Sequence, residues 1–152
     1  MVFGYDATGL LASEDGPWAN DTVSYGYTTG RQRNRLTLQQ PNASAWVQSY
    51  LFDGIRRLTN VVSPAGAFSY EYTCVGQSVS PASLIKKLSL PGGSYITNTF
   101  DSVAWLLSAS LKSSSNTVLN SHAYVYDLDG ERTKQTFKDG NYLDYTYNAT
   151  VS

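Results

Sequence analysis

Hydrophobic and polar residues in this chain alternate over short runs broken every eight to twelve residues by Pro, Gly, Asn or Asp, which is the signature of short antiparallel strands joined by turns. The alternation is anchored by an aromatic residue followed by Asp, Thr or Asn: Tyr5-Asp6, Tyr27-Thr28, Phe52-Asp53, Tyr72-Thr73, Phe100-Asp101, Tyr126-Asp127 and Tyr147-Asn148, at intervals of 22, 25, 20, 28, 26 and 21 residues. In six of the seven a second aromatic stands two residues earlier (Phe3, Tyr25, Tyr50, Tyr70, Tyr124, Tyr145), and only Asn98 breaks the rule. A spacing of two puts both rings on one face of a strand, where they can pack against the rings of neighbouring strands, whereas a helix would turn them about 200° apart.

Turn chemistry falls where strands must end. Glycine follows three residues after the Asp-like position at Gly9, Gly76 and Gly130, supplying positive φ. A second turn lies midway between anchors, at "DGPW" from Asp15, "QPNA" from Gln40, "SPAG" from Ser63, "LPGG" from Leu90 and "KDGN" from Lys138. Each unit therefore reads as strand, turn, strand, turn, for instance Leu58–Val62, "SPAG", Ala67–Tyr72. A lone hairpin cannot bury its face, but consecutive hairpins side by side form a continuous sheet. In the long interval, "SPASLIKKLSL" is read as extended rather than helical, because the flanking prolines leave little room for a helix. Segment "LKSSSNTVLNS" from Leu111 reads as a longer hairpin loop.

With the units aligned, aromatic-x-aromatic-Asp-x-x-Gly-Arg-Leu-Thr followed by Pro-x-Gly closely resembles the YD repeat of the rearrangement-hotspot (Rhs) family. The clearest copy is "YLFDGIRRLTNVVSPAG", Tyr50 to Gly66, with Arg56 at the family's glycine. "YDATGLLASEDGP" keeps the glycine but has Leu10 for the arginine; "YVYDLDGERT" has Glu131 there; "FDSVAWLLS" has Ala104 for the glycine; and the Tyr27 copy reads as one residue short before Gly30-Arg31. The resemblance spans almost the whole chain. It implies an all-β array of consecutive antiparallel hairpins forming a curved, spiralling sheet, part of a large secreted or cell-surface polypeptide whose complete array can enclose a toxin. Residues 1–152 would form a single array of about six units, too few to close such a shell, and neither a "DPxG" core ending nor a toxin region follows; the expectation is a fragment or a short relative.

Composition narrows the chemistry. A net charge of −1 cannot supply the counterion release that drives nucleic-acid binding, and no apolar run approaches the length of a membrane-spanning helix. The single cysteine, Cys74, excludes an internal disulfide and a multi-thiolate zinc site. Three sequons, at Asn20, Asn42 and Asn148, matter only in a glycosylating host. Asp6, Asp53, Asp101 and Asp127 are read as turn caps: one per hairpin suits a cap, while catalysis needs different groups converging on one point. A Ser121/His122/Asp127 triad lacks a nucleophile elbow. Trp18, Trp46 and Trp105 are read as sheet-packing residues. The one candidate binding site is Arg31, Arg33 and Arg35, which alternate and share a face if "GRQRNRLTL" is a strand, with Trp46 or Trp18 as stacking partner for an acidic or sulfated glycan. The expectation is thus a non-enzymatic wall section without cofactor or metal, associating with the rest of a larger polypeptide, its cargo or, through sheet edges, another copy. A carbohydrate- or receptor-binding module is the alternative.

Overall fold

The computed structural model describes residues 1–73 and 84–147; Cys74, Gly76 and Asn148 lie outside them. Among the described residues the chain is all-β, with thirteen strands taken up in sequence order. It divides into two units, Met1–Ser69 and Tyr70–Ser152, with the boundary inside one strand.

The first unit holds β1 (Val2–Tyr5), β2 (Leu11–Asp15), β3 (Val23–Tyr27), β4 (Arg33–Gln40), β5 (Ala43–Phe52), β6 (Leu58–Ser63) and the first half of β7 (Gly66–Tyr72), each antiparallel to the next. The second holds the end of β7, then β8 (Ile85–Ser89), β9 (Tyr95–Phe100), β10 (Leu106–Lys112), β11 (Val118–Tyr126), β12 (Arg132–Phe137) and β13 (Tyr142–Asp144), with β8 to β13 paired likewise. Ile85–Ser89 is extended, and the mid-unit turns fall at the Pro and Gly positions that the pattern marks.

Among the described residues, eight connections have one build. The first of five residues donates its N–H to the carbonyl of the fifth, and the fourth donates to the carbonyl of the first, in the turns beginning at Asp6, Thr28, Asp53, Leu90, Asp101, Ser113, Asp127 and Phe137. The fourth residue is left-handed in every case: Gly9, Arg31, Arg56, Gly93, Ala104, Asn116, Gly130 and Gly140, with φ between 65° and 87°. This is a type I turn closed by a left-handed residue, a common way to join antiparallel strands with three to five residues. The Tyr27 copy is therefore not a residue short. Its turn runs Thr28–Gln32, with Arg31 rather than Gly30 in the glycine position. Nor is the Ser/Asn segment a long loop: Ser113–Thr117 is the same five-residue turn, with Ser113 in the aspartate's place and Asn116, the residue most tolerant of left-handed φ after glycine, in the fourth.

Just beyond the turn, in six hairpins, the descending strand carries one extra residue: Ala12, Asn34, Thr59, Leu107, Leu119 and Thr133 are skipped by the ladder. Such a bulge flips the side chains that precede it to the other face. As a result the residue six after each aromatic anchor pairs directly with that anchor, as Leu11 with Tyr5, Arg33 with Tyr27, Leu58 with Phe52, Leu106 with Phe100 and Arg132 with Tyr126. One face thereby gathers rings and leucines; in the first unit the other carries Gly4, Ser13, Ser24, Gly26, Thr37 and Ser49. The rings do share a face, as their spacing of two predicts, but that face is not buried. Among the described residues no side chain is buried; the rings are half-buried between neighbours within single sheets that carry no second layer. Trp18 does not pack on a sheet either: it is 76% exposed, in the loop after β2, its N–H bonded to Asp21.

The left-handed fourth position makes opposite demands on two residues. Ala104 sits at φ 75°, where an L side chain costs about 1–2 kcal/mol, so Ala104→Gly is expected to stabilise by about 0.5–1 kcal/mol once glycine's greater chain entropy is subtracted. Gly130, at φ 85°, lies beneath Trp105, and a Cβ there would come within 2.7 Å of the indole. Gly130→Ala is expected to destabilise by roughly 2 kcal/mol or more. Urea midpoints of the two variants that shift in the same direction would refute this account of the turn.

Candidate functional site

The side chains with chemistry to offer lie at the turns and on the aromatic face. Asp6 Oδ1 accepts the N–H of Thr8 (2.8 Å) and Leu10 (2.9 Å) and the Thr8 hydroxyl (2.7 Å). Asp53 Oδ1 accepts from Ile55 and Arg57, Asp101 from Val103 and Trp105, and Asp127 from Asp129 and Glu131. In all four the N–H groups two and four residues ahead are taken, so each carboxylate is spent on its own turn, as the one-per-hairpin spacing predicts. Ser113 Oγ accepts the same pair, from Ser115 and Thr117. Asp53 also holds Arg57 Nε at 2.7 Å.

Two of these carboxylates are shifted to lower pKa. In Asp6 the Thr8 hydroxyl is the main cause, followed by the Leu10 amide; in Asp53 the Arg57 amide leads, with the Arg57 guanidinium adding to it.

Arg31, Arg33 and Arg35 are all exposed but do not form a row. Arg31 belongs to the turn, and its guanidinium reaches back to the carbonyl of Thr8 at 3.4 Å. The bulge at Asn34 separates the other two. Arg33 pairs with Tyr27 on the aromatic face, its guanidinium 5.8 Å from the Tyr25 ring and 5.7 Å from the Tyr50 ring. Arg35 faces the other way, against Gly26, with Nε bonded to Thr37 Oγ1. Trp46 pairs with Leu38, on the face opposite Arg35 and four residues along β5 from Tyr50. Strict alternation fails here because the segment begins in a turn and carries a bulge.

His122 is likewise absorbed by the face. It pairs with Phe137, whose ring meets it edge-on at 5.4 Å, and lies parallel to Tyr124 at 6.5 Å. Gln135 Nε2 donates to His122 Nδ1, and Gln135 Oε1 accepts the Tyr145 hydroxyl. Ser121, adjacent on the strand, points to the opposite face, and Asp127 is occupied by its turn. Ser121, His122 and Asp127 therefore do not come together. Among the described residues no group of three or more His, Cys, Asp or Glu side chains is placed to hold a metal ion.

Sequence reasoning did not anticipate the ties between repeats. The hydroxyl of the anchor tyrosine donates to the carbonyl six residues after the preceding anchor: Tyr27 to Leu11 (2.8 Å), Tyr126 to Leu106 (2.9 Å) and Tyr147 to Arg132 (2.8 Å). The tyrosine two residues earlier reaches three residues further along the same strand, Tyr25 to Glu14 and Tyr145 to Gln135. At the turns, Gln32 Nε2 donates to the Arg56 carbonyl, and the Arg56 guanidinium lies over Gly30. Within the hairpin, Arg132 folds onto Tyr124 at 4.2 Å, as Arg33 does onto Tyr25. The surface has several shallow depressions among the described residues. One, of about 440 Å³, lies at Asn120, Phe137, Lys138 and Asp139; another, of about 360 Å³, lies between the Thr28 and Asp53 turns; a smaller one, of about 150 Å³, is lined by Ile96, Ala109, Leu111, Asn120 and His122, where Asn98 faces Ala109 instead of a ring.

No protein-family profile and no curated protein matches the sequence. Solved structures do. The chain is similar to the crystal structure of TcdB2-TccC3 without its hypervariable C-terminal region, at 16% identity and a TM-score of 0.50 over 97% of this chain and 10% of that one. The TcdB2-TccC3-Cdc42 crystal structure aligns at 17% identity and 0.46, over 90% of this chain and 9% of that one. The Tc holotoxin pore of Photorhabdus luminescens aligns at 19% and 0.42, over 90% and 6%. The chain thus spans a tenth or less of each of these structures, and what it shares with the first is the fold.

The turn carboxylates make stability depend on pH. The folded-state pKa of Asp6 and Asp53 lies below the unfolded value of about 3.9, so the unfolded chain binds more protons as pH falls. Their contribution is complete above the unfolded value and is lost as pH drops through the folded one. The urea midpoint is expected to fall between about pH 5 and pH 3. Asp53→Asn, measured over the same interval, should give a shallower slope without abolishing it, because Asp6 remains; a slope as steep as that of the parent would exclude Asp53 as a contributor.

Proposed function

We propose that the chain is a section of an Rhs-type YD-repeat wall: a non-enzymatic array of hairpins belonging to a secreted or cell-surface polypeptide, which curves around or scaffolds another polypeptide segment. The observation that carries this reading is that the aspartates, the histidine and the tyrosine hydroxyls, which look reactive in the sequence, are committed to holding hairpins together. Asp6, Asp53, Asp101 and Asp127 cap turns, His122 sits in the aromatic row, and the tyrosine hydroxyls join one repeat to the next. The likeness of fold to TcdB2-TccC3 along 97% of the chain supports it, as does the run of seven anchors. An open wall section also explains why the sheets have no covered face. The alternative, a glycan-binding surface on Arg31, Arg33 and Arg35 with Trp46, needs three guanidinium groups on one face, and the ladder distributes them over a turn and two faces.

A wall section leaves unpaired strand edges and half-exposed rings, and both favour association. The isolated 152-residue chain is expected to self-associate with rising concentration in light scattering, or to unfold at a modest temperature. A monodisperse monomer that melts cooperatively at high temperature would contradict the wall reading.

A further inference from the structure

Every repeat but one places a ring two residues before its anchor, and the exception leaves a gap in the aromatic face. That ring is paired across its hairpin with a residue of the descending strand: Tyr25 with Leu36, Tyr50 with Val61 and Tyr124 with Gln135. In the β9–β10 hairpin the same pair is Asn98 with Ala109, and both partners are small. Asn98 also turns away from Ala109: its Nδ2 donates to the Ile85 carbonyl on β8 at 3.0 Å, a tie to the preceding strand where Phe100 has no hydroxyl to give. What is left is the depression of about 150 Å³ bounded by Ile96, Ala109, Leu111, Asn120 and His122. Apolar space of about 150 Å³ is enough to hold one benzene ring.

The polar groups around this space are donors. Gln135 Nε2 donates to His122 Nδ1, which puts the proton of the neutral imidazole on Nε2, and among the described residues that N–H has no acceptor. Asn120 spends its Oδ1 on the Ser121 N–H and keeps its amide protons. It also lines the adjoining depression of about 440 Å³, together with Phe137 and Lys138. Lys138 Nζ lies 3.3 Å from the Leu119 carbonyl and pairs with no carboxylate among the described residues. Asp139, on the same rim, has both carboxylate oxygens taken by Asn141. We propose that the two depressions form one site for a small aromatic carboxylate, its six-membered ring seated over Ala109 in the place of the missing tyrosine and its carboxylate toward Asn120 and Lys138. The ring would lie against His122, which already packs with Tyr124 and Phe137, and the carboxylate would meet a cation and a neutral amide that otherwise face water. Such a site does not depend on the wall reading, since all its residues belong to the second unit.

The test uses the full chain and para-fluorophenylacetate, followed by fluorine NMR. A saturable shift and broadening of the fluorine line is expected. Binding should weaken about three- to tenfold for the neutral para-fluorophenylacetamide, and by the same factor for the acid when Lys138→Gln removes the cation. Ala109→Leu installs the residue that Leu36 supplies at this place in another hairpin; it fills the depression and is expected to abolish binding of both ligands. Lys138 is exposed and the comparison of acid with amide uses the parent chain, so both readouts stand even if Ala109→Leu perturbs the sheet. No saturable binding up to about 10 mM, equal affinity for acid and amide, or binding to a folded Ala109→Leu chain as tight as to the parent would each overturn the proposal.

Discussion

An aspartate carboxylate accepting the N–H groups two and four residues ahead is the contact on which the array depends. Thr28 Oγ1 and Ser113 Oγ accept the same N–H four residues ahead, and these six turns are the ones followed by a bulge on the descending strand. The turns from Leu90 and Phe137 have the left-handed fourth residue without such an acceptor, and their ladders run on without a bulge. The bulge is what brings the residue six after the anchor onto the aromatic face. Without it Leu11, Leu58 and Leu106 would point to the other side, and Arg33 and Arg132 would miss the tyrosines they cover. Ladder irregularity also leaves a carbonyl within reach of the next anchor's hydroxyl, so one local hydrogen-bond motif sets both the face of each hairpin and its joint to the next.

With no buried side chain among the described residues, the sheets they form do not draw their stability from a core. Apolar burial contributes about 25 cal/mol per Å² wherever it occurs, but here it is gained in small parcels between adjacent strands, as where Trp105 lies 5.3 Å from Tyr126 and covers Gly130. Stability of this kind is a sum of hairpin and nearest-neighbour terms, as in other repeat arrays. It follows that each hairpin leans on its neighbours and the outermost strands lean on one side only.

Period and polarity were legible in the sequence because they depend on local rules. Anchors every 20 to 28 residues, paired rings two apart and Pro/Gly turns between them placed strands where the structure has them, and one acid per hairpin pointed to caps. Illegible features were those in which one residue type stands in for another or the period slips. Ser113 and Asn116 reproduce the Asp and Gly of a turn with different atoms, so the segment looked like a loop. Arg31 occupies a position that composition assigns to glycine, which disguised the length of the Thr28 turn. One skipped residue, Asn34, put Arg33 and Arg35 on opposite faces, and no count of alternating arginines can reveal a bulge. The tyrosine ties were hidden for a different reason: they join residues 15 to 20 apart, a separation fixed by the bulge and not by any sequence period.

Repeats that depart from the pattern show how the joint tolerates loss. Phe52 has no hydroxyl and cannot make the anchor bond to the preceding descending strand, yet at that joint the Arg33 guanidinium lies between the rings of Tyr25 and Tyr50, and Gln32 reaches the Arg56 carbonyl. These contacts link the same two hairpins by other atoms. At the following departures Phe100 keeps the ring without the hydroxyl and Ala104 replaces the turn glycine, while Trp105 extends over the next turn and onto Tyr126. A left-handed arginine is costly in its own turn but long enough to reach the neighbouring one, as Arg31 does to Thr8 and Arg56 to Gly30. At Arg31 and Arg56 the side chain that carries the strain also makes the joint, whereas at Ala104 the joint is made by Trp105 beside it, so a contact across to the neighbouring hairpin is kept at each of these turns although the residue that makes it changes.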